Sequence, residues 1–142
     1  QDKYGSTSYA QQAALLAARI YQEKDRPADA RKQLNWVIDK SGDAGYQALA
    51  RLRLSTLLID DKSFDAARQL LSANVPTSFA PLVADRLGDI DMLEKKPADA
   101  VAHYKQAWKG FDANAEYRRL VAVKLASLGA DPEEPTGKDD AK

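Results

Sequence analysis

The sequence predicts an all-α fold built from antiparallel pairs of helices. Residues with high helix propensity, mainly Ala, Leu, Arg, Lys and Gln, dominate the 142 positions. Apolar residues recur at spacings of three and four, as in Ala30, Leu34, Val37 and Ile38, and no stretch alternates with the period of two that is typical of strands. The breaks between the apolar stretches are short, which indicates antiparallel neighbours.

Polar breaks with recognisable cap residues separate seven predicted helices. Pro27 and Pro97 suit the first turn of a helix, while Asp43 and Ser63 are candidate N-caps. The predicted helices cover 6–24, 27–40, 43–60, 63–72, 78–95, 97–110 and 113–129. We expect one domain over 1–129 and a disordered charged tail over 130–142, because the tail has no large apolar side chain to bury.

An internal repeat refines this fold class. Three similar segments begin the second, fourth and sixth helices, and their last alanines lie 36 and then 34 residues apart. The segments are Arg26–Ala30, Lys62–Ala66 and Lys96–Ala100. A helix-turn-helix unit of about 34 residues is typical of the tetratricopeptide repeat. The sequence therefore predicts a tetratricopeptide-like, right-handed stack of three antiparallel helix pairs over 11–110, with 113–129 as a C-terminal capping helix.

The three copies differ where the two helices of a pair should touch. The third copy has Leu87-Gly88 there and the first has Ala17-Ala18, so both offer a small residue. The second copy has Arg53-Leu54 in this alignment. A leucine at the position of closest contact should push its two helices apart, so the second pair is expected to be irregular.

Composition excludes several classes of function. The chain has no cysteine, which excludes disulfides, thiolate zinc sites and a thiol nucleophile. Lys+Arg and Asp+Glu both number 21 and are mixed along the chain, whereas a nucleic-acid-binding protein usually has a basic stripe. No glycine-rich phosphate loop or Gly-x-Ser-x-Gly elbow is present.

Residues that could support chemistry are few. His103, the sole histidine, is expected on an exposed helix face, where Asp99 makes an ordinary surface pair with it. Asp85 and Asp89 share one helix face and could contribute to a metal or acid–base site only if another helix supplied further ligands. We expect these carboxylates to lie on an open surface, and we expect no enzyme activity and no cofactor.

The predicted stack offers a groove lined by the first helix of each pair. Offsets from the repeated alanines make this candidate groove basic in its first two copies and acidic in its third. Such a surface suits an extended segment or a helix of a partner protein. The candidate groove residues are Leu15, Arg19, Arg51, Ser55, Leu58, Asp85, Asp89 and Met92.

Two stretches carry a more specific resemblance. The run Ala80–Asp89 ends in Asp-x-Leu-Gly-Asp, and Lys96–Tyr104 reads Lys-Pro-Ala-Asp-Ala-Val-Ala-His-Tyr. With flanking matches over about 4–128, the chain resembles the periplasmic tetratricopeptide-repeat domain of the YfgM-like family, ancillary subunits of the bacterial Sec translocon. The resemblance implies a short cytoplasmic N-terminus, one membrane span and this domain in the periplasm.

The resemblance also implies partners but no catalytic residues. It points to the Sec translocon and to a membrane-anchored periplasmic chaperone of the peptidyl-prolyl isomerase type. No run here approaches the ~20 apolar residues of a membrane span, so this fragment should be soluble and attached only through a segment absent from it. The alternative functions are a cytosolic adaptor or regulator that binds a peptide segment, or an enzyme, such as a hydrolase, that uses the aspartates.

Overall fold

Seven α-helices and one short 3-10 helix account for most of the chain that the structure describes. The computed structural model describes residues 8–73 and 75–133. The helices are α1 (Ser8–Glu23), α2 (Pro27–Lys40), α3 (Ala44–Asp60), α4 (Phe64–Leu71), α5 (Ala80–Leu93), α6 (Pro97–Gly110) and α7 (Glu116–Ser127), with the 3-10 helix at Thr77–Phe79. The predicted all-α fold is confirmed. The predicted tail lies outside the described residues from position 134 onward.

Helix ends follow the predicted breaks in most places. The helices that begin at Pro27 and Pro97 have the predicted bounds. The Asp43 carboxylate accepts hydrogen bonds from the backbone N–H groups of Gly45 (2.8 Å) and Tyr46 (3.0 Å), so it caps α3 as predicted. The prediction for Ser63 was wrong, because its side chain makes no capping hydrogen bond to α4.

Three turns inside the pairs have the same backbone geometry and define the repeat register. Asp25, Lys62 and Lys95 have positive φ values of 57°, 62° and 62°. In each turn the next residue donates its N–H to the carbonyl oxygen five positions earlier: Arg26 to Tyr21 (2.7 Å), Ser63 to Leu58 (2.8 Å) and Lys96 to Asp91 (2.8 Å). The repeats are therefore 37 and then 33 residues apart.

This register corrects the sequence alignment of the second copy by one residue. The alanine equivalent to Ala30 and Ala100 is Ala67, and all three are fully buried, whereas Ala66 is exposed. The large residues four positions later are Leu34, Leu71 and Tyr104.

The same correction removes the expected irregularity of the second pair. Small residues occupy the position of closest helix contact in all three copies, and the one in α3 is the fully buried Ser55 rather than Leu54. The three equivalent residues are Ala18, Ser55 and Gly88. The second pair therefore follows the same packing rule as the others.

The last helix ends in a fourth turn of this type. Gly129 has a φ of 74°, and Ala130 donates its N–H to the Leu125 carbonyl at 2.9 Å. Val121 and Leu125 are fully buried, which agrees with an amphipathic terminal helix. The same type of turn ends the first helix of each pair, so α7 ends in the way that a first helix does.

The chain divides into two compact units, Gln1–Pro76 and Thr77–Lys142. In the first unit, α1 packs on α2, α2 on α3 and α3 on α4. Its core contains Leu34 and Val37 of α2 together with Leu54 and Leu57 of α3. In the second unit α6 packs against both α5 and α7. No described helix is long and apolar enough to cross a membrane.

Candidate protein-binding surface

A basic depression lies between the first helices of the two pairs in the first unit. It has a volume of about 310 Å³ and is lined by Arg19 and Gln22 of α1 and by Arg53 and Thr56 of α3. The repeat register explains this grouping, because Arg19 and Thr56 occupy equivalent positions 37 residues apart. These four residues form what we call the basic depression.

The two arginines of the basic depression are positioned differently. Arg53 donates from Nη1 to the backbone carbonyl of Leu15 at 3.3 Å, so α1 holds its guanidinium between the two helices. Arg19 forms an i,i+4 pair with Glu23 at 3.6 Å, and both side chains are about two-thirds exposed. Because such exposed pairs contribute little, Arg19 can exchange Glu23 for a carboxylate of a partner, and a guanidinium binds carboxylates through paired donors.

Burial divides the predicted groove residues of this unit. Leu15 and Ser55 are buried, and the Ser55 hydroxyl donates to the Leu52 carbonyl at 2.6 Å. Neither side chain is open to a partner, which corrects their predicted placement. Arg51 and Leu58 are partly buried, and Arg19 is exposed. Because the register was wrong by one residue, Ser55 was predicted in the groove, whereas Thr56 is the residue that lines the depression.

The acidic residues predicted for the third copy form a polar cluster in the second unit. Lys124 of α7 places its Nζ 2.9 Å from Asp85 Oδ1 and 3.0 Å from Asp89 Oδ1. Tyr104 donates its hydroxyl to Asp89 Oδ1 at 2.6 Å, and Arg86 lies 3.3 Å from Asp85 Oδ2. Asp85 is buried, which corrects its predicted place on an open surface, whereas Asp89 is partly exposed.

Electrostatics in this cluster follow from burial and pairing. Burial raises the pKa of Asp85, and the hydrogen bond from Lys124 only partly opposes the rise. Burial alone would lower the pKa of Lys124, but its bonds to Asp85 and Asp89 outweigh burial and the pKa is raised. Burial and the hydrogen bond to Asp89 raise the pKa of Tyr104. Asp85 and Asp89 are thus paired with the ammonium group of Lys124.

The remaining polar candidates are also paired. His103 lies with Nδ1 2.5 Å from Asp91 Oδ2, so its partner is the buried Asp91 of α5 and not the predicted Asp99. Met92, a predicted groove residue, is exposed. Within residues 8–73 and 75–133, no group of three or more His, Asp or Glu side chains could hold a metal ion. Of the predicted groove residues, Arg19 is the one that lines the basic depression.

Several residues of these sites were not predicted from the sequence. Thr56 was missed because the second copy was aligned one residue early, whereas Gln22 and Arg53 were given no place in the groove. Lys124 lies in the predicted capping helix over 113–129 and was given no role in a site. A lysine between the buried Val121 and Leu125 was a usable signal, because a cation on an apolar face requires a buried anion nearby.

The repeated turns and the buried small residues define a helical-repeat protein of the tetratricopeptide class. The family model for the tetratricopeptide repeat-like domain matches residues 1–130, and the chain belongs to this family. The chain is also 34% identical over 128 residues to a protein of Neisseria gonorrhoeae named ancillary SecYEG translocon subunit. This match covers 90% of the chain and 61% of the relative, so the chain spans less than two thirds of that protein.

The relative confirms the resemblance seen in the sequence, since it carries the name of the subunit class that defines the YfgM-like family. No solved structure matches the chain.

Proposed function

We propose that this chain is a non-catalytic protein-interaction domain whose basic depression binds an extended acidic segment of a partner protein. The observation that carries the proposal is the depression of about 310 Å³ in which α1 and α3 present Arg19 and Arg53. Gln22 and Thr56 add neutral hydrogen-bonding groups to the lining of the depression. This arrangement suits carboxylate side chains on an extended segment that lies along the first helices.

The similarity to the gonococcal translocon subunit supports a biological setting for this activity. The proposed setting is the periplasmic side of the bacterial inner membrane, where the domain assists the Sec translocon and periplasmic chaperones with exported proteins. The proposed partners are translocon components and a chaperone of the peptidyl-prolyl isomerase type. Of the predicted groove residues, Arg19, Arg51, Leu58, Asp89 and Met92 keep side chains that are at least partly exposed and remain candidates for contact.

A capture experiment from solubilised membranes tests this function. The domain is immobilised, and bound Sec translocon components are quantified by immunoblotting. The double variant Arg19→Glu/Arg53→Glu should recover at least tenfold less, because both guanidinium groups become carboxylates that repel an acidic segment.

The matched control is Arg26→Glu/Lys40→Glu, which changes the same charges at exposed positions outside the depression. Equal recovery by the wild type and both variants would refute the role of the depression. Failure of the wild type to recover any translocon component would refute the biological setting.

A further inference from the structure

The outer face of α1 carries an apolar stripe that no described residue covers. Tyr9, Ala13, Leu16 and Ile20 follow one another at spacings of four, three and four, so they lie along one side of the helix. Tyr9 is 72% exposed, Leu16 55% and Ile20 42%. Exposed large apolar residues in a contiguous row mark interaction surfaces more often than isolated ones do. We call these four residues the α1 stripe.

Three of the four stripe positions have residues of similar type on α3. By the 37-residue register, Tyr9, Ala13 and Ile20 correspond to Tyr46, Ala50 and Leu57, whereas Leu16 corresponds to Arg53. Ala50 is fully buried and Leu57 is 6% exposed, whereas Ala13 is exposed and Ile20 is 42% exposed. For Ala13 and Ile20, the difference in exposure therefore lies in the neighbours and not in the residue types.

The cover on α3 is the helix that precedes it in the chain. Leu34 and Val37 of α2 are fully buried in one cluster with Ala50 and Leu57 of α3. The first unit thus shows which element can cover this face of a first helix: an amphipathic second helix.

Beside the α1 stripe lies an open cleft of about 530 Å³ between α1 and α2. Its α1 wall consists of Ala10, Ala13 and Ala14, and Trp36 is among the α2 residues of the opposite wall. A wall of alanines lets another helix approach closely, as the small residues of the repeat do inside each pair. The cleft and the stripe adjoin along α1, since Ala13 belongs to both.

We infer that the α1 stripe and this cleft bind an amphipathic helix of another protein, in the way that α3 binds α2. The bound helix presents aliphatic residues with the spacing of Leu34 and Val37, three positions apart. A second copy of the chain cannot supply that helix face from α2, because there both residues are fully buried. This surface is separate from the basic depression, and it binds a helix where the depression binds an extended segment.

The probe for this surface is the α2 sequence itself. A fluorescent peptide of residues 26–42 carries Asn35→Lys, joined by a lactam to Asp39 to hold the helix; both positions are exposed in α2. The lactam removes the ordering cost that makes a helix of this length marginal in water. Fluorescence anisotropy during titration with the whole chain should show saturable binding.

Substitutions on both sides establish where the peptide binds. Leu16→Glu/Ile20→Glu in the chain should weaken binding at least tenfold, and so should Leu34→Ala/Val37→Ala in the peptide. The matched control is Leu93→Glu, at a leucine that is also 55% exposed but lies in the second unit. It should leave binding unchanged, and circular dichroism should show the same helix content for all chain variants because every substituted chain position is exposed.

Three results would overturn the inference. The first is absence of peptide binding, and the second is binding that Leu16→Glu/Ile20→Glu does not weaken. The third is self-association of the chain, measured by sedimentation equilibrium, that Leu16→Glu/Ile20→Glu abolishes while the peptide fails to compete. That result would assign the α1 stripe to a second copy. Each result leaves the test of the basic depression unaffected, since the stripe and the depression share no residue.

Discussion

Substitution of Gly88 by alanine tests the packing rule of the repeat at its tightest point. An added Cβ would lie 2.5, 2.6 and 2.9 Å from three carbons of the Tyr104 ring. Favourable carbon–carbon contacts are about 3.5–4.0 Å, so the overlap is roughly 1 Å. The ring cannot withdraw easily, because Tyr104 is buried and its hydroxyl is fixed to Asp89 at 2.6 Å.

The magnitude follows from two opposing effects. Overpacking a core costs about 1–3 kcal/mol, and three contacts below 3.0 Å with a fixed ring place this site at the upper end. Replacing a glycine inside a helix by alanine contributes about 1 kcal/mol of stability. Gly88→Ala should therefore lower the free energy of unfolding by about 2 kcal/mol, measured by urea denaturation and circular dichroism.

A double-mutant cycle identifies the ring as the cause. In the first pair the equivalent positions hold Ala18 and Leu34, which shows that alanine fits opposite leucine. In a Tyr104→Leu background, Gly88→Ala should thus be neutral or stabilise by up to about 1 kcal/mol. If the substitution costs the same in both backgrounds, or stabilises the chain when Tyr104 is present, the close approach to the ring is not the reason for glycine.

Three further predictions concern the polar cluster and the turns. Lys124→Met should lower the free energy of unfolding by about 3 kcal/mol, because it leaves the buried Asp85 carboxylate without its main partner. Adding Asp85→Leu should restore most of this loss, since Leu15 and Leu52 fill the equivalent buried positions. Thermal unfolding of both variants checks this, and a double variant as unstable as the single one would contradict the pairing. Stability should fall as pH rises above about 10. The pKa values of Lys124 and Tyr104 are raised in the folded chain, so the folded chain keeps these protons after the unfolded chain has lost them. Melting temperatures measured from pH 8 to 11 should fall less for Lys124→Met than for the wild type. Lys62→Gly should stabilise by about 1 kcal/mol, because a side chain at a φ of 62° is strained, whereas Asp61→Gly, at a φ of −87°, should not stabilise in urea denaturation.

The sequence was sufficient to predict the helices, their breaks and the existence of the repeat. It was not sufficient for the register of the second copy, and the reason is local. Ala66-Ala67 and Leu70-Leu71 are doublets, so both alignments place an alanine and then a leucine four residues later. Only the backbone decides between them, because the left-handed residue is Lys62 and the buried alanine is Ala67.

The same ambiguity affected the prediction of the binding surface on α3. A shift of one residue on a helix rotates the side chains by about 100°, so an error in register exchanges an open residue for a buried one. Ser55 and Thr56 show this directly: the first is buried in its pair and the second lines the basic depression. In the first copy Arg19 lines the depression while Leu15 of the same helix is buried, so the doublets account only for the exchange in α3.

The polar cluster explains why α7 packs in one orientation. The helix carries apolar residues on more than one side: Leu120 and Val123 are exposed, whereas Val121 and Leu125 are buried. Hydrophobic burial alone would tolerate more than one rotation of such a helix. Asp85 does not, because a buried carboxylate without a partner is costly, and a rotation by one residue would carry Lys124 about 100° away from it. The first two pairs have leucine at the position of Asp85. The aspartate therefore buries less apolar surface than leucine would, but its pairing with Lys124 fixes one orientation of the last helix.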